Sequence, residues 1–260
     1  MARGGARLSA AVAWAPESEW HRGLRALRGI ARGWMLALSL VVFGVSQPAT
    51  AADPAFKAFL AELRPEAMAR GISAATFDRE TAGLEPDLGL LVLVDHVVQQ
   101  AEFTVAPQDS VPASRIAKLA AEGRALAANH AATLAAIERR VGVDAHVVLA
   151  IWGRETAFGK HKSRNDAIRV LATQAFTGRR KDLFRDELLF ALRLIEDGRL
   201  KRSEMRASWA GAMGLTQFMP SEFYSSAIDM DGDGRIDLFG SVADALGSAA
   251  TQLKQKGWIG

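Results

Sequence analysis

The chain of 260 residues contains no cysteine. That excludes a disulfide, a thiolate metal site, a cysteine nucleophile and an acylated lipoprotein cysteine, so any metal must sit on oxygen or imidazole. No stretch shows strand alternation closed by hairpin turns, and no similarity recurs at the period of a solenoid. His21, His96, His130, His146 and His161 form no pair at i, i+4, and no serine or lysine stands in a nucleophile motif. We read these histidines as structural or exposed. Disorder and collagen-like repeats are excluded by 49% hydrophobic and 23% charged residues. Excess charge is also missing from most of the chain. Arg3, Arg7, Arg22, Arg25, Arg28 and Arg32 stand against only Glu17 and Glu19 in the first 51 residues. These leave the leader four charges positive, so the rest of a chain of net charge +3 is one charge negative. A nucleic-acid partner loses its support.

What is present begins with a leader. An uncharged apolar run from Trp34 follows the arginines and gives way to Ala49-Thr50-Ala51. Its length is that of a secretory h-region rather than a membrane span, and the small residues supply a cleavage pattern. An uncleaved anchor is the competing reading. We expect residues 1–51 to be a signal peptide with an extended N-terminus, and 53–260 to be an exported domain in the periplasm with no lipid anchor.

Helical periodicity dominates the exported part. Asp53-Pro54 caps a helix bearing Phe56, Phe59, Leu60 and Leu63, and Ser73 or Thr76 opens a short one. One long alanine-rich segment runs from about Pro112 to Arg140 and stops at Gly142. Asp144 caps a largely buried helix ending near Gly153 to Glu155, and further helices span Asp182 to Asp197 and Val242 to Lys256. The expectation is one all-α domain with its loops between Ser203 and Gly240.

Three stretches have the residue types for chemistry. In Trp152-Gly153-Arg154-Glu155-Thr156-Ala157-Phe158-Gly159 an acid lies at a helix end between glycines and aromatics. It is either a solvated surface charge or a general acid whose proton is retained by apolar neighbours and the helix C-terminal dipole. The run from Ser208 to Ser221 combines small residues with Gln217 and aromatics including Phe218. It is either a sugar-binding wall with polar and stacking contacts or a glycine-rich junction with Phe218 and Met219 in the core. Finally, Asp229, Asp231, Asp233 and Asp237 occupy loop positions 1, 3, 5 and 9 of an EF-hand-like pattern, with Gly232 and Gly234 among them and the Arg235 carbonyl at position 7. Position 12 is Gly240, so either Asp244 completes a calcium site or the segment is a turn without metal. Mutual repulsion of the carboxylates favours calcium.

In this order, AIWGRETAFG, GRRKDLFRDEL, SWAGAMGLTQFMPSEFY and DMDGDGRIDLFGSVADALGS behind a signal peptide resemble the lytic murein transglycosylase B family of bacterial cell-wall enzymes. The resemblance implies a lysozyme-like all-α fold with an EF-hand-like calcium loop. It implies cleavage of the β-1,4 bond between N-acetylmuramic acid and N-acetylglucosamine, leaving a 1,6-anhydro ring. By the same resemblance Glu155 is the single acid/base, Ser208 and Gln217 line the sugar site, and Arg179 and Arg180 lie near a stem-peptide groove. Asp229, Asp231, Asp233, Arg235 and Asp244 fall on the calcium loop. Peptidoglycan strands and stem peptides are then the partners, with other cell-wall enzymes as further ones and no organic cofactor. A non-catalytic, calcium-stabilised peptidoglycan-binding protein is the alternative. Arg154, Leu215 and Gln252 depart from frequent family residues. The chain stops at Gly260 where members continue with further helices, and the expectation is a catalytic domain lacking its C-terminal part.

Overall fold

The computed structural model describes residues 53–90 and 112–259. The leader, His21 and His96 lie outside them. Among the described residues, no helix is long and apolar enough to cross a membrane.

Helix α1 (Pro54–Ala69) starts as its sequence dictates: the Asp53 carboxylate accepts the Ala55 N–H, and proline occupies the first turn where no N–H is needed. Its buried residues Phe56, Leu60, Leu63 and Ala67 form one stripe, and Phe56 meets Phe176 edge-on at 5.2 Å. Ser73 caps α2 (Ala74–Thr81) by accepting from Thr76.

The segment expected as one helix is two, α3 (Ala113–Asn129) and α4 (Ala131–Val141). His130, at φ −112°, ends the first and opens the second. The bend lets α4 bury Leu134 and Ile137 while α3 buries no residue fully. The His130 ring packs edge-on against Trp152 at 5.7 Å. No glycine or proline marks this break, so periodicity ran through it. Gly142, at φ 78°, closes α4 in the left-handed region as expected.

Asp144 caps α5 (Ala145–Thr156), which extends past the expected stop. Gly153 is not a terminator. A Cβ there would lie 2.7 Å from the Phe158 ring, so glycine is required for that ring to fold back over the helix. A two-residue antiparallel ladder, β1 (Asn165–Asp166) with β2 (Arg206–Ala207), corrects the expectation of no strand and is too short to leave a periodic signal. Between them, α6 (Ala167–Thr177) is buried along most of its length and packs on α7 (Lys181–Glu196). Helix α8 (Pro220–Ser225) lies on α7, and α9 (Val242–Gln255), capped by Ser241, packs on α4 and α5. One core runs from Phe56 through Trp152, Ile168 and Leu192 to Leu246. The all-α expectation holds.

Candidate active site

The chain reverses sharply after α5. Ala157, Phe158 and Gly159 follow one another at φ 49°, 59° and 79°. Left-handed conformation costs a non-glycine residue roughly 1–2 kcal/mol. Among the described residues only Ala157, Phe158 and Gln217 carry that cost without being glycine. Two of them adjoin Glu155 and the third lies in the glycine-rich loop, so backbone strain concentrates at the two motifs singled out for chemistry.

These motifs are fastened together. The Thr156 hydroxyl donates to the Leu215 carbonyl at 2.7 Å and accepts from the Gly159 amide at 3.0 Å. A Cβ on Gly159 would approach the Leu215 side chain to 3.0 Å. Within the loop, Met213 and Phe218 exchange backbone hydrogen bonds of 2.8 Å in both directions, making Gly214 to Gln217 the tip of a tight turn. Gly214 is held at φ 77°, where a Cβ would stand 2.7 Å from the Leu238 carbonyl oxygen. Gln217 donates through Nε2 to the Gly214 carbonyl at 2.9 Å, which fixes its amide. Ser208 accepts from the Ala212 amide through Oγ at 3.2 Å. The helix end bearing Glu155 and the loop bearing Ser208 and Gln217 are therefore joined through the Thr156 hydroxyl.

The structure corrects Phe218 as a sugar contact and takes one side of the alternative left open for Glu155. Phe218 is 1% exposed and belongs to the core, because its backbone pairing with Met213 turns the ring inward; it offers no stacking face. Glu155 is exposed, not desolvated by its aromatic neighbours. Trp152 is buried behind it, and Phe158 packs edge-on against Trp152 at 5.4 Å rather than over the carboxyl. Glu155 borders a cavity of about 750 Å³ between α3 and α5, lined by Ile116, Leu119, Val147, Ile151 and Phe158 among others. Among the described residues it is the single carboxylate of that lining. Glu122, also on α3, is paired with Lys160.

Arg179 and Arg180 are exposed in the turn between α6 and α7. No ion pair among the described residues uses them.

The acidic loop brings only part of its set together. Asp229, Asp231 and Asp244 each offer an oxygen, all within 4.8 Å of one another. Gly234 and Gly232 donate their amides to Asp229 at 2.9 and 2.6 Å, and the Gly234 bond first of all holds that carboxyl below its usual range. Asp244 is 1% exposed and folds back as expected, accepting from Met230 and Asp237, both at 2.8 Å. Asp233 and Asp237 fall outside the cluster: Asp233 accepts from the Arg235 amide, and Asp237 caps the turn to Gly240. Arg235 is exposed. The donor set of three hard oxygens fits a divalent cation of the calcium type.

Sequence reasoning missed the two polar residues that brace the site. Buried Gln174 donates from Nε2 to the Trp209 carbonyl at 3.2 Å. Buried Glu187 accepts from the amide and the hydroxyl of Ser221 at 2.9 and 2.6 Å, holding the start of α8. Their signal in the sequence was a polar residue on an otherwise buried helical stripe.

The mostly helical architecture is the lysozyme-like fold of its solved relatives. The chain belongs to the Transglycosylase SLT domain family, whose family model matches residues 55–260. It is 38% identical over 119 residues to the membrane-bound lytic murein transglycosylase B of Escherichia coli K12, across 45% of this chain and 33% of that protein. SltB3 of Pseudomonas aeruginosa, solved in complex with NAG-NAM-pentapeptide, matches with a TM-score of 0.71 and 41% identity over 80% of this chain and 55% of that one. The Escherichia coli lytic transglycosylase Slt35, solved in complex with calcium, matches with a TM-score of 0.63 and 25% identity over 80% of this chain and 64% of that one. The chain thus spans about a third of the curated relative and just over half of the SltB3 chain.

Proposed function

We propose that the chain is a lytic transglycosylase that cleaves the β-1,4 bond between N-acetylmuramic acid and N-acetylglucosamine in peptidoglycan. The carrying observation is that Glu155 is, among the described residues, the one carboxylate lining the cavity, on a helix end bonded to the Gln217 turn. Ordinary glycosidases need two carboxyl groups across the scissile bond, the second acting as nucleophile or activating water. One suffices when the substrate supplies its own nucleophile. Glu155 gives its proton to the glycosidic oxygen as the bond from the muramoyl anomeric carbon to that oxygen breaks. The muramoyl 6-hydroxyl oxygen bonds to the same carbon, and its proton returns to Glu155. The products are a 1,6-anhydromuramoyl end and a free N-acetylglucosamine 4-hydroxyl, with no water consumed.

Ser208 and Gln217 line the saccharide site in this reading, and Arg179 and Arg180 take stem-peptide carboxylates. The leader directs the domain to the periplasm, where that substrate lies. Calcium on Asp229, Asp231 and Asp244 is structural, since the cluster ties the loop to the first turn of α9. Similarity to relatives solved with a peptidoglycan fragment and with calcium supports both readings.

The test is digestion of purified sacculi with mass analysis of the soluble products. Wild type is expected to release anhydromuropeptides. Glu155→Gln, which keeps the shape without a transferable proton, should lose about 10² to 10⁴ in rate with an unchanged circular dichroism spectrum. Products with reducing ends, or near-normal turnover by the variant, would overturn the proposal. A non-catalytic binding protein would pellet with sacculi and release nothing.

A further inference from the structure

The exposed side of the glycine-rich loop holds an aromatic residue that the catalytic reading does not use. Trp209 is 38% exposed, whereas Phe218 in the same loop and Trp152 behind Glu155 are buried. Its backbone is fixed on every side. The neighbouring Ser208 and Ala212 bond to each other twice, N–H to O at 2.8 Å and N–H to Oγ at 3.2 Å. Gly211 is left-handed at φ 86°, and a Cβ there would collide with Leu171. The Gln174 amide holds the Trp209 carbonyl. A chain this constrained could have buried the indole, yet its ring packs on no other ring or cation among the described aromatic contacts.

Gln174 also reaches the turn that follows α6. A Cβ on Gly178 would stand 2.6 Å from the Gln174 Oε1, so the same side-chain amide touches Trp209 through its nitrogen and abuts Gly178 through its oxygen. Gly178 leads directly into Arg179 and Arg180. One buried glutamine therefore holds the backbone of the residue bearing the exposed indole close to the turn that leads into the exposed arginine pair. Six residues farther along the loop, Leu215 is bonded to Thr156 next to Glu155. Six residues span at most about 20 Å, so the Trp209 backbone lies within that distance of Leu215.

We infer that Trp209 is a stacking platform for a pyranose ring of the glycan strand, its backbone held by Gln174 close to the turn that leads into Arg179 and Arg180. The inference rests on the transglycosylase reading for its choice of polymer. The indole face is a rigid, apolar surface that loses little conformational freedom on binding. The C–H face of a pyranose is its complement, and the arginines meet carboxylates borne by the same strand. Trp209 contributes binding away from the reacting atoms, so it acts on ground state and transition state alike.

The experiment measures binding of the full chain to two probes: intact sacculi, and peptide-free glycan strands made by amidase digestion. Trp209→Ala should weaken binding to both by about twofold to tenfold, the range of an aromatic stacking contact. Trp209→Phe should restore most of it. The variant with both arginines changed to alanine should lose affinity for intact sacculi more than for peptide-free strands. In turnover, Trp209→Ala should raise KM with kcat little changed, and its melting curve should match wild type. Unchanged binding of peptide-free strands by Trp209→Ala, or a loss confined to intact sacculi, would overturn the platform. Glycan binding that depends on Trp209 in a chain releasing no anhydro products would uphold the platform and sink the catalytic reading. Normal product release with binding indifferent to Trp209 would do the reverse.

Discussion

The hydroxyl of Thr156 donates to the carbonyl of Leu215 at 2.7 Å across 59 residues of sequence, and so fastens the helix end bearing Glu155 to the turn bearing Gln217. Thr156 is 3% exposed, and its oxygen also accepts the Gly159 amide that ends the left-handed reversal. The helix end and the glycine-rich turn are thereby set in register by one side chain.

Thr156→Val keeps the shape and removes both hydrogen bonds, leaving a carbonyl and an amide without partners in a part-buried place. The expected loss is about 1–3 kcal/mol in urea unfolding. If the bond also sets the distance between Glu155 and the sugar, kcat on sacculi should fall more than KM rises, because a small misplacement near the reacting bond acts mainly on the transition state. Thr156→Ser should recover both. A stable Thr156→Val variant with wild-type kcat would show that the two motifs hold their register without the hydroxyl.

The parts of this arrangement that local chemistry dictates were legible in the sequence. Asp53, Ser73 and Asp144 cap the helices they precede, and Gly142 ends the one before it. The helical period, the glutamate motif and the acidic loop need only short stretches of chain. What depended on distant packing was not legible. The break at His130 coincides with an edge-on contact to Trp152 on another helix, and the buried Phe218 sits where its backbone pairs with Met213. Exposure of Glu155 depends on where Trp152 and Phe158 place their rings. Gln174 and Glu187 interrupt apolar stripes, and only their partners Trp209 and Ser221 explain them.

Glu187 carries a pH dependence of definite sign. Burial raises its carboxyl above the ordinary range, against the opposing effect of the Ser221 hydroxyl and amide, and neighbouring Glu222 and Asp186 push the same way as burial. The folded chain thus prefers the protonated group. The stability Glu187 contributes is full below the unfolded value of about 4.3 and is lost as pH rises through the higher folded value. Glu187→Gln does not titrate. The difference in unfolding free energy between wild type and Glu187→Gln should therefore shift against wild type as pH rises above about 4.3, then level off. A difference constant from pH 4 to 7 would mean that the folded protein leaves this carboxyl unshifted.

The calcium reading separates cleanly by residue, because the clustered carboxylates do different work. Asp244 is buried, and its oxygens hold the amides of Met230 and Asp237, so it supports the loop whether or not an ion is bound. Asp231 is exposed and accepts from the Ser241 hydroxyl at 2.7 Å, a bond that water replaces at little cost. Asp244→Ala should lower the melting temperature even in chelator, by the roughly 1–3 kcal/mol that unpaired buried amides cost. Asp231→Ala should melt near wild type in chelator but fail to gain from calcium. In wild type, an ion bound to the folded state alone stabilises by RT ln(1 + [Ca]/Kd), about 2.7 kcal/mol at a hundredfold excess over Kd. Magnesium should do much less, since it demands tight octahedral geometry and keeps its waters. Melting curves in calcium, magnesium and chelator on the three proteins make the comparison. A wild-type midpoint that ignores calcium, with Asp244→Ala still destabilised, would reduce the cluster to a hydrogen-bonded turn around Asp244.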